Sequence, residues 1–171
     1  NKSEILITDP SVSAGYSEEV RSLAIRLMNE MEKKGEKTLL VFGSLEDEGK
    51  STLAANIALA LSQMNRKVVL ADMDFSKPSL AQILNMKDAQ FTDFAQYLAG
   101  GASADPASAA VKIPGTELSA LLVSSSAPQT IYQCRSQIRE CLGRLREEAD
   151  FVIVDSTPMN SMSAAEELAM M

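Results

Sequence analysis

The sequence predicts an α/β fold, a parallel β-sheet flanked by helices. Three observations lead there. Two short, continuously apolar runs, 67–72 (KVVLAD) and 151–155 (FVIVD), each end in an aspartate. Continuous rather than alternating apolarity marks a parallel strand covered on both faces. Segments with apolar residues at i, i+3 and i+4 lie between such runs, as helices do in crossover units. A further apolar run, 38–42, is joined to a helical pattern at 51–64 by a turn containing Gly49-Lys50-Ser51. Strands and helices alternating in this way wind with right-handed crossovers. Ligands of such sheets bind beyond the carboxyl ends of the strands.

The chain of 171 residues is long enough for one domain with a substantial core. It reads as an N-terminal arm, 1–16, followed by a single domain, 17–171. No run approaches the ~18 apolar residues of a membrane span, and no secretory signal pattern stands at the start. Sixteen basic and 23 acidic residues leave a net charge of −7, which argues against broad nucleic-acid binding. The absence of histidine excludes a His-based triad and makes a zinc site improbable. Cys134 and Cys141 lie on one helical pattern about 10 Å apart, too far for a disulfide, so a reducing cytoplasm is expected.

In chain order, residues 1–15 carry little pattern. Ser17 suits a helix N-cap, with Glu18 and Glu19 in the first turn complementing the helix dipole. Val20, Leu23, Ala24, Leu27, Met28 and Met31 continue the amphipathic helix to a stop near Gly35. Strand 38–42, helix 51–64 and strand 67–72 follow. Pro78 opens a short helix that reaches Ile83 or Leu84, and 91–98 forms another, ended by Gly100-Gly101. Residues 102–116, rich in Ala, Ser, Pro and Gly, make a surface connection with room for one short helix. A strand at 118–123 and a serine-rich loop at 124–126 lead into one long helix, 130–148. Its apolar stripe is Ile131, Cys134, Ile138, Cys141, Leu142 and Leu145. Its arginines (135, 139, 144, 146), mixed with glutamates, read first as a solvated face and second as a partner surface. Strand 151–155, a loop at 159–162 and the beginning of a helix at 164–171 complete the chain. The nine methionines read as core filling.

The chemistry concentrates in residues 44–51, SLEDEGKS, which match G-x-x-x-x-G-K-[ST] in all but the first glycine. Glu48 and Gly49 would bring backbone N–H groups to phosphate oxygens at a helix N-terminus. Lys50 would reach the β- and γ-phosphates, Ser51 would ligate Mg²⁺, and Thr52 would add a further phosphate contact. Asp72 and Asp155 end their strands at the same sheet edge, with Asp74 two residues beyond Asp72. A magnesium ion takes one or two carboxylates and keeps its remaining waters, so Asp72 and Asp155 suffice. An acid beside the γ-phosphate can also accept a proton from an attacking hydroxyl. Aspartates at strand ends otherwise serve as turn caps.

With these residues assembled, the chain resembles the cytoplasmic ATPase domain of the bacterial tyrosine kinases of capsular and exopolysaccharide biosynthesis, relatives of the partition ATPases. Four pieces carry the resemblance in order: Glu18–Leu23 (EEVRSL), Gly49–Asn56 (GKSTLAAN), Leu70–Leu80 (LADMDFSKPSL) and Ala149–Pro158 (ADFVIVDSTP). The resemblance implies a P-loop NTPase fold whose C-terminal part lies outside the sequence. It also implies Mg-ATP binding, ADP as product, phosphoryl transfer to tyrosine, and homo-oligomers packed through Glu18 and Arg21. A membrane-embedded regulator of polysaccharide chain length is the implied partner, at the cytoplasmic face of the membrane. Carried over residue by residue, Lys50, Asp72 and Asp74 are catalytic, Asp72 activating the tyrosine, and Thr52 meets the α-phosphate. Asp74 and Asp155 surround the metal.

Three departures motivate a competing expectation. Glu46-Asp47-Glu48 places three acids where a polyanion would approach, Ala24 replaces a second arginine of the packing helix, and Ser76 replaces a basic residue. A catalytically weakened nucleotide-binding scaffold is therefore the alternative. A partition ATPase is disfavoured, because Leu45 stands where those proteins carry a lysine that crosses a dimer.

Overall fold

The computed structural model describes residues 6–42 and 47–156, the side chains of 47 and 48 excepted. The helices are α1 (Ala14–Lys34), α2 (Asp47–Gln63), α3 (Leu80–Ile83), α4 (Phe94–Ala99), α5 (Pro106–Ala109), α6 (Thr130–Gln133) and α7 (Arg135–Glu148). The strands are β1 (Thr38–Val41), β2 (Val68–Asp72), β3 (Val111–Lys112), β4 (Ser119–Leu121) and β5 (Phe151–Asp155). The loop expected at 159–162 and the helix at 164–171 lie outside the described residues.

The strands form one sheet in the order β1-β5-β2-β4-β3, parallel except for the β3–β4 pair. Each parallel strand alternates its side chains between two apolar layers. Val68, Leu70, Phe151 and Ile153 face one layer with α1, α2 and α3, whereas Val69, Ala71, Val152 and Val154 face the other with α4, α6 and α7. A slip of one residue would exchange the two sets, so burial on both faces fixes the register. The register sets Val41 and Asp72 on either side of Asp155, at the carboxyl ends of the strands.

α2 runs under the sheet on small residues. Ala54, Ala55, Ala58 and Ala60 are buried, and their size lets the helix backbone approach the strands closely. This close seat carries the first turn of α2 to the strand ends. Asn56, fully buried, uses its Oδ1 to accept the Ile7 N–H at 2.8 Å and its Nδ2 to donate to the Tyr16 hydroxyl at 2.9 Å. The leading segment is thereby pinned to α2, with Ile7 in the core.

Three features differ from the sequence-based expectation. α1 is capped by Ser13, whose Oγ accepts the Tyr16 N–H at 3.2 Å, and Ser17 is buried inside the helix instead of capping it. The C-terminal stop at Gly35 is as expected: its φ of 71° is the left-handed conformation, which glycine adopts at no steric cost. β3, two residues long, was too short to show a pattern and pairs antiparallel with β4 inside the expected surface connection. The expected single helix 130–148 is broken at Cys134, whose φ of −116° and ψ of 30° depart from helical values.

Candidate nucleotide-binding site

The first turns of α2 deliver Lys50, Ser51 and Thr52 to the strand ends, where each is at most 2% exposed. Lys50 Nζ lies 3.1 Å from Asp155 Oδ1 and 3.2 Å from Asp74 Oδ2, and it also donates to the Ser156 carbonyl oxygen. Ser51 Oγ donates to Asp155 Oδ2 at 2.6 Å. Asp155 thus ties both residues of the turn to β5. The strand ends are themselves fixed, the Met73 N–H donating to the Asp155 carbonyl at 2.8 Å and the Ser156 N–H to the Val41 carbonyl at 3.0 Å.

The sequence-predicted residues separate into two groups. Lys50, Ser51, Asp74 and Asp155 are in direct contact. Asp72 stands beside Asp155, but its oxygens accept the backbone N–H groups of Asp74 at 3.1 Å and Leu80 at 3.3 Å. The turn-capping role and the position at the site therefore coexist in Asp72. Gly49 falls in the first turn of α2 and does not itself make the turn expected there. Among the described residues, no atom outside the backbone of α2 itself stands within 4 Å of where a Gly49 Cβ would be, which leaves room for a ligand against the backbone. Of Glu48 only the backbone, in α2, is described. Glu18 and Arg21 are exposed on α1, outside the cluster.

Three buried carboxylates face one buried ammonium. Burial pushes the Asp72 carboxyl well above its ordinary range, repulsion from Asp155 adds to this, and the Leu80 and Asp74 N–H groups oppose it. Burial also raises Asp155, against the attraction of Lys50 and the Ser51 hydrogen bond. For Lys50, burial favours the neutral amine, but the neighbouring Asp155 and Asp74 outweigh it and keep the ammonium protonated. The remaining negative charge suits a further cation. Among the described residues, no group of three or more His, Cys, Asp or Glu could hold a metal ion. A Mg²⁺ held by Ser51, one carboxylate, waters and phosphate oxygens fits that arrangement.

The hydroxyls supply a second test. Among the described residues, Thr52 Oγ1, Ser79 Oγ and Ser156 Oγ are buried without a hydrogen-bond partner, a costly state that a ligand's oxygens would relieve. Ser156 was missed by sequence reasoning. Its carbonyl accepts from Lys50 and its hydroxyl is orphaned, and only its place directly after Asp155 hinted at this. The donor set therefore fits nucleotide phosphates and Mg²⁺.

A helix that follows the first strand and carries a buried lysine and serine in its opening turns, met by a strand-end aspartate, defines the class as a P-loop NTPase. The chain belongs to the ParA family, whose model, described as NUBPL iron-transfer P-loop NTPase, matches residues 36–161. It is 27% identical over 151 residues to the putative tyrosine-protein kinase EpsB of Ralstonia solanacearum, covering 88% of this chain and 19% of that one. It is 30% identical over 124 residues to the succinoglycan biosynthesis transport protein ExoP of Rhizobium meliloti, covering 70% of this chain and 15% of ExoP. The kinase domain of the Escherichia coli tyrosine kinase ETK superposes with a TM-score of 0.80 at 22% identity, covering 96% of this chain and 62% of that chain. The chain thus spans under a fifth of the length of these two curated relatives. Among the described residues no helix is long and apolar enough to cross a membrane.

Proposed function

We propose that this chain is the phosphotransfer domain of an ATP-dependent, autophosphorylating protein-tyrosine kinase that regulates capsular or exopolysaccharide synthesis and export. The observation that carries this reading is the buried Lys50–Ser51–Asp155–Asp74 cluster with its orphaned hydroxyls, in a chain whose relatives are named tyrosine kinases. Lys50 leaves its carboxylates to neutralise the β- and γ-phosphates. Ser51 and Asp155 hold Mg²⁺, and Thr52 donates to the α-phosphate. When bound, Mg-ATP supplies an electrophilic γ-phosphoryl group and an ADP leaving group. Asp72, with its raised affinity for a proton, accepts the proton of the attacking tyrosine hydroxyl, and Asp74 helps to order the metal's surroundings. Glu18 and Arg21 offer exposed contacts for homo-oligomers, and a membrane-embedded regulator of chain length is the partner that places the domain at the cytoplasmic face.

The test is phosphotyrosine formation on the full-length protein with Mg-ATP, followed by mass spectrometry. Phosphotyrosine that Lys50→Met abolishes supports the kinase. None, despite tight Mg-ATP binding, overturns it. That result would leave the nucleotide-binding scaffold, a reading favoured by one observation: Lys50 is already neutralised by Asp74 and Asp155, so nucleotide must displace an existing ion pair.

A further inference from the structure

The chain has three tyrosines, and the fold presents them unequally. The Tyr16 hydroxyl is engaged by Asn56 Nδ2 at 2.9 Å and its ring packs on the core. Tyr97 is half-buried against Phe94, and its hydroxyl donates to the carbonyls of Ala102 at 3.4 Å and Ala104 at 2.5 Å. A phosphoryl group could reach either oxygen only by breaking these contacts. Tyr132 is different: the residue is 54% exposed, on the four-residue helix α6.

Its position and surroundings are specific. Just before α6, the Ala127 N–H donates to the Phe75 carbonyl at 2.7 Å, and Ser126 Oγ donates to the Ser76 carbonyl at 2.9 Å. This clasps the start of the α6 segment to the loop that carries Asp74, on the rim of the nucleotide site. From Ala127 to Tyr132 is five residues, no more than about 17 Å of chain. Tyr132 also lines a surface hollow of about 440 Å³ with Gln133, Arg135, Ser136 and Arg139. No acidic side chain lines that hollow or stands in the first turn of α7. On a chain of net charge −7 this is a locally basic place.

We infer that Tyr132 is a phosphoacceptor of this domain and that the hollow formed with Arg135 and Arg139 receives its phosphate. The inference rests on the kinase reading above and names one substrate for it. The Tyr132 phenol oxygen forms a bond to the γ-phosphorus of ATP, the bond from that phosphorus to the β,γ-bridging oxygen breaks, ADP leaves, and the phenolic proton passes to a carboxylate base. The product carries about −1.5 to −2 charges beside Arg139, whose guanidinium is able to bind it in bidentate fashion. α6 and the start of α7 would then be ordered by the modification, next to the loop that holds Asp74.

Trypsin separates the three tyrosines, Tyr132 falling alone in the peptide 113–135. Full-length wild-type, Lys50→Met and Arg139→Gln proteins are incubated with Mg-ATP, and phosphotyrosine is mapped by fragmentation spectra. The expected result is modification of Tyr132 in the wild type, at least tenfold above Tyr16 and Tyr97, and its loss in Lys50→Met. A tyrosine phosphatase should strip Tyr132 at least threefold faster in Arg139→Gln than in the wild type. Phosphotyrosine elsewhere in the chain with Tyr132 unmodified overturns this inference and leaves the kinase standing. Equal phosphatase rates overturn the arginine hollow. Absence of phosphotyrosine from every tyrosine overturns the kinase reading and this inference together.

Discussion

Replacing Lys50 by methionine should destabilise the nucleotide-free protein as well as disable it. Lys50 is the ammonium that faces Asp74 and Asp155 inside the cleft, with Asp72 beside them. Removing one partner of a buried ion pair typically costs 3–5 kcal/mol, because the other charge is left uncompensated. The low end, about 3 kcal/mol, applies here, since Asp155, already raised by burial, can relieve the loss by taking up a proton. With a urea m-value of about 2 kcal/mol/M, the unfolding midpoint should fall by about 1.5 M. The loss should also depend on pH. Asp72 and Asp155 have folded-state pKa values raised above the ordinary 3.8, so their native forms bind protons before the unfolded chain does. Stability from such groups is full below 3.8 and is lost as pH rises through the folded values. Losing Lys50 removes the attraction that opposes burial at Asp155 and raises its value further. The deficit of the variant should therefore be larger at about pH 8 than at about pH 5.5. Urea titrations followed by circular dichroism in EDTA, at both pH values, measure it. A variant as stable as wild type at pH 8 would refute the assignment of Lys50 as the compensating charge.

Two further predictions concern the rest of the fold. Asp93 caps α4 by accepting the Gln96 N–H at 3.1 Å and also accepts the Ser124 N–H at 3.0 Å, so Asp93→Ala should cost about 1–2 kcal/mol and lower Tm by several degrees. Burial raises the Asp93 pKa, but the Ser124 and backbone hydrogen bonds overcome it and the value is lowered; this stability is present above the ordinary carboxylate range and lost as pH falls through the lowered value, so the Tm difference should shrink on acidification. Burial pushes the Cys141 thiol up to about 12 and raises Cys134 as well, so at pH 8 both should react with a disulfide reagent on the order of 100-fold slower in native protein than in urea. Native reaction at the rate of a free thiol would contradict their burial.

How far the sequence could be read depended on how local each signal was. β5 was legible to the residue, because a buried parallel strand must be apolar throughout and Asp155 ends it at the sheet edge. Lys50 and Ser51 were legible because their chemistry fixes their spacing. The strand order was not, since placing β5 between β1 and β2 depends on pairings such as Thr38 with Val152 and Val68 with Phe151, far apart in the chain. The break at Cys134 was hidden because Ile131, Cys134 and Ile138 keep helical spacing across it, all of them buried. Ile7 escaped notice for a related reason: one apolar residue in a patternless segment acquires meaning only through Asn56, on another element. The capture of Lys50 by the site's own aspartates was likewise invisible. A motif specifies which residues meet a ligand and is silent on what they meet without it.

The most direct test of the central claim is calorimetric titration of the wild-type chain with Mg-ATP and Mg-ADP, with Thr52→Ala and Lys50→Met alongside. Circular dichroism first establishes that each sample is folded. Micromolar binding is predicted for the wild type, weakened on the order of tenfold by Thr52→Ala, which removes one phosphate hydrogen bond, and abolished by Lys50→Met. A folded wild-type chain that binds neither nucleotide would contradict the claim that this cluster is a nucleotide site.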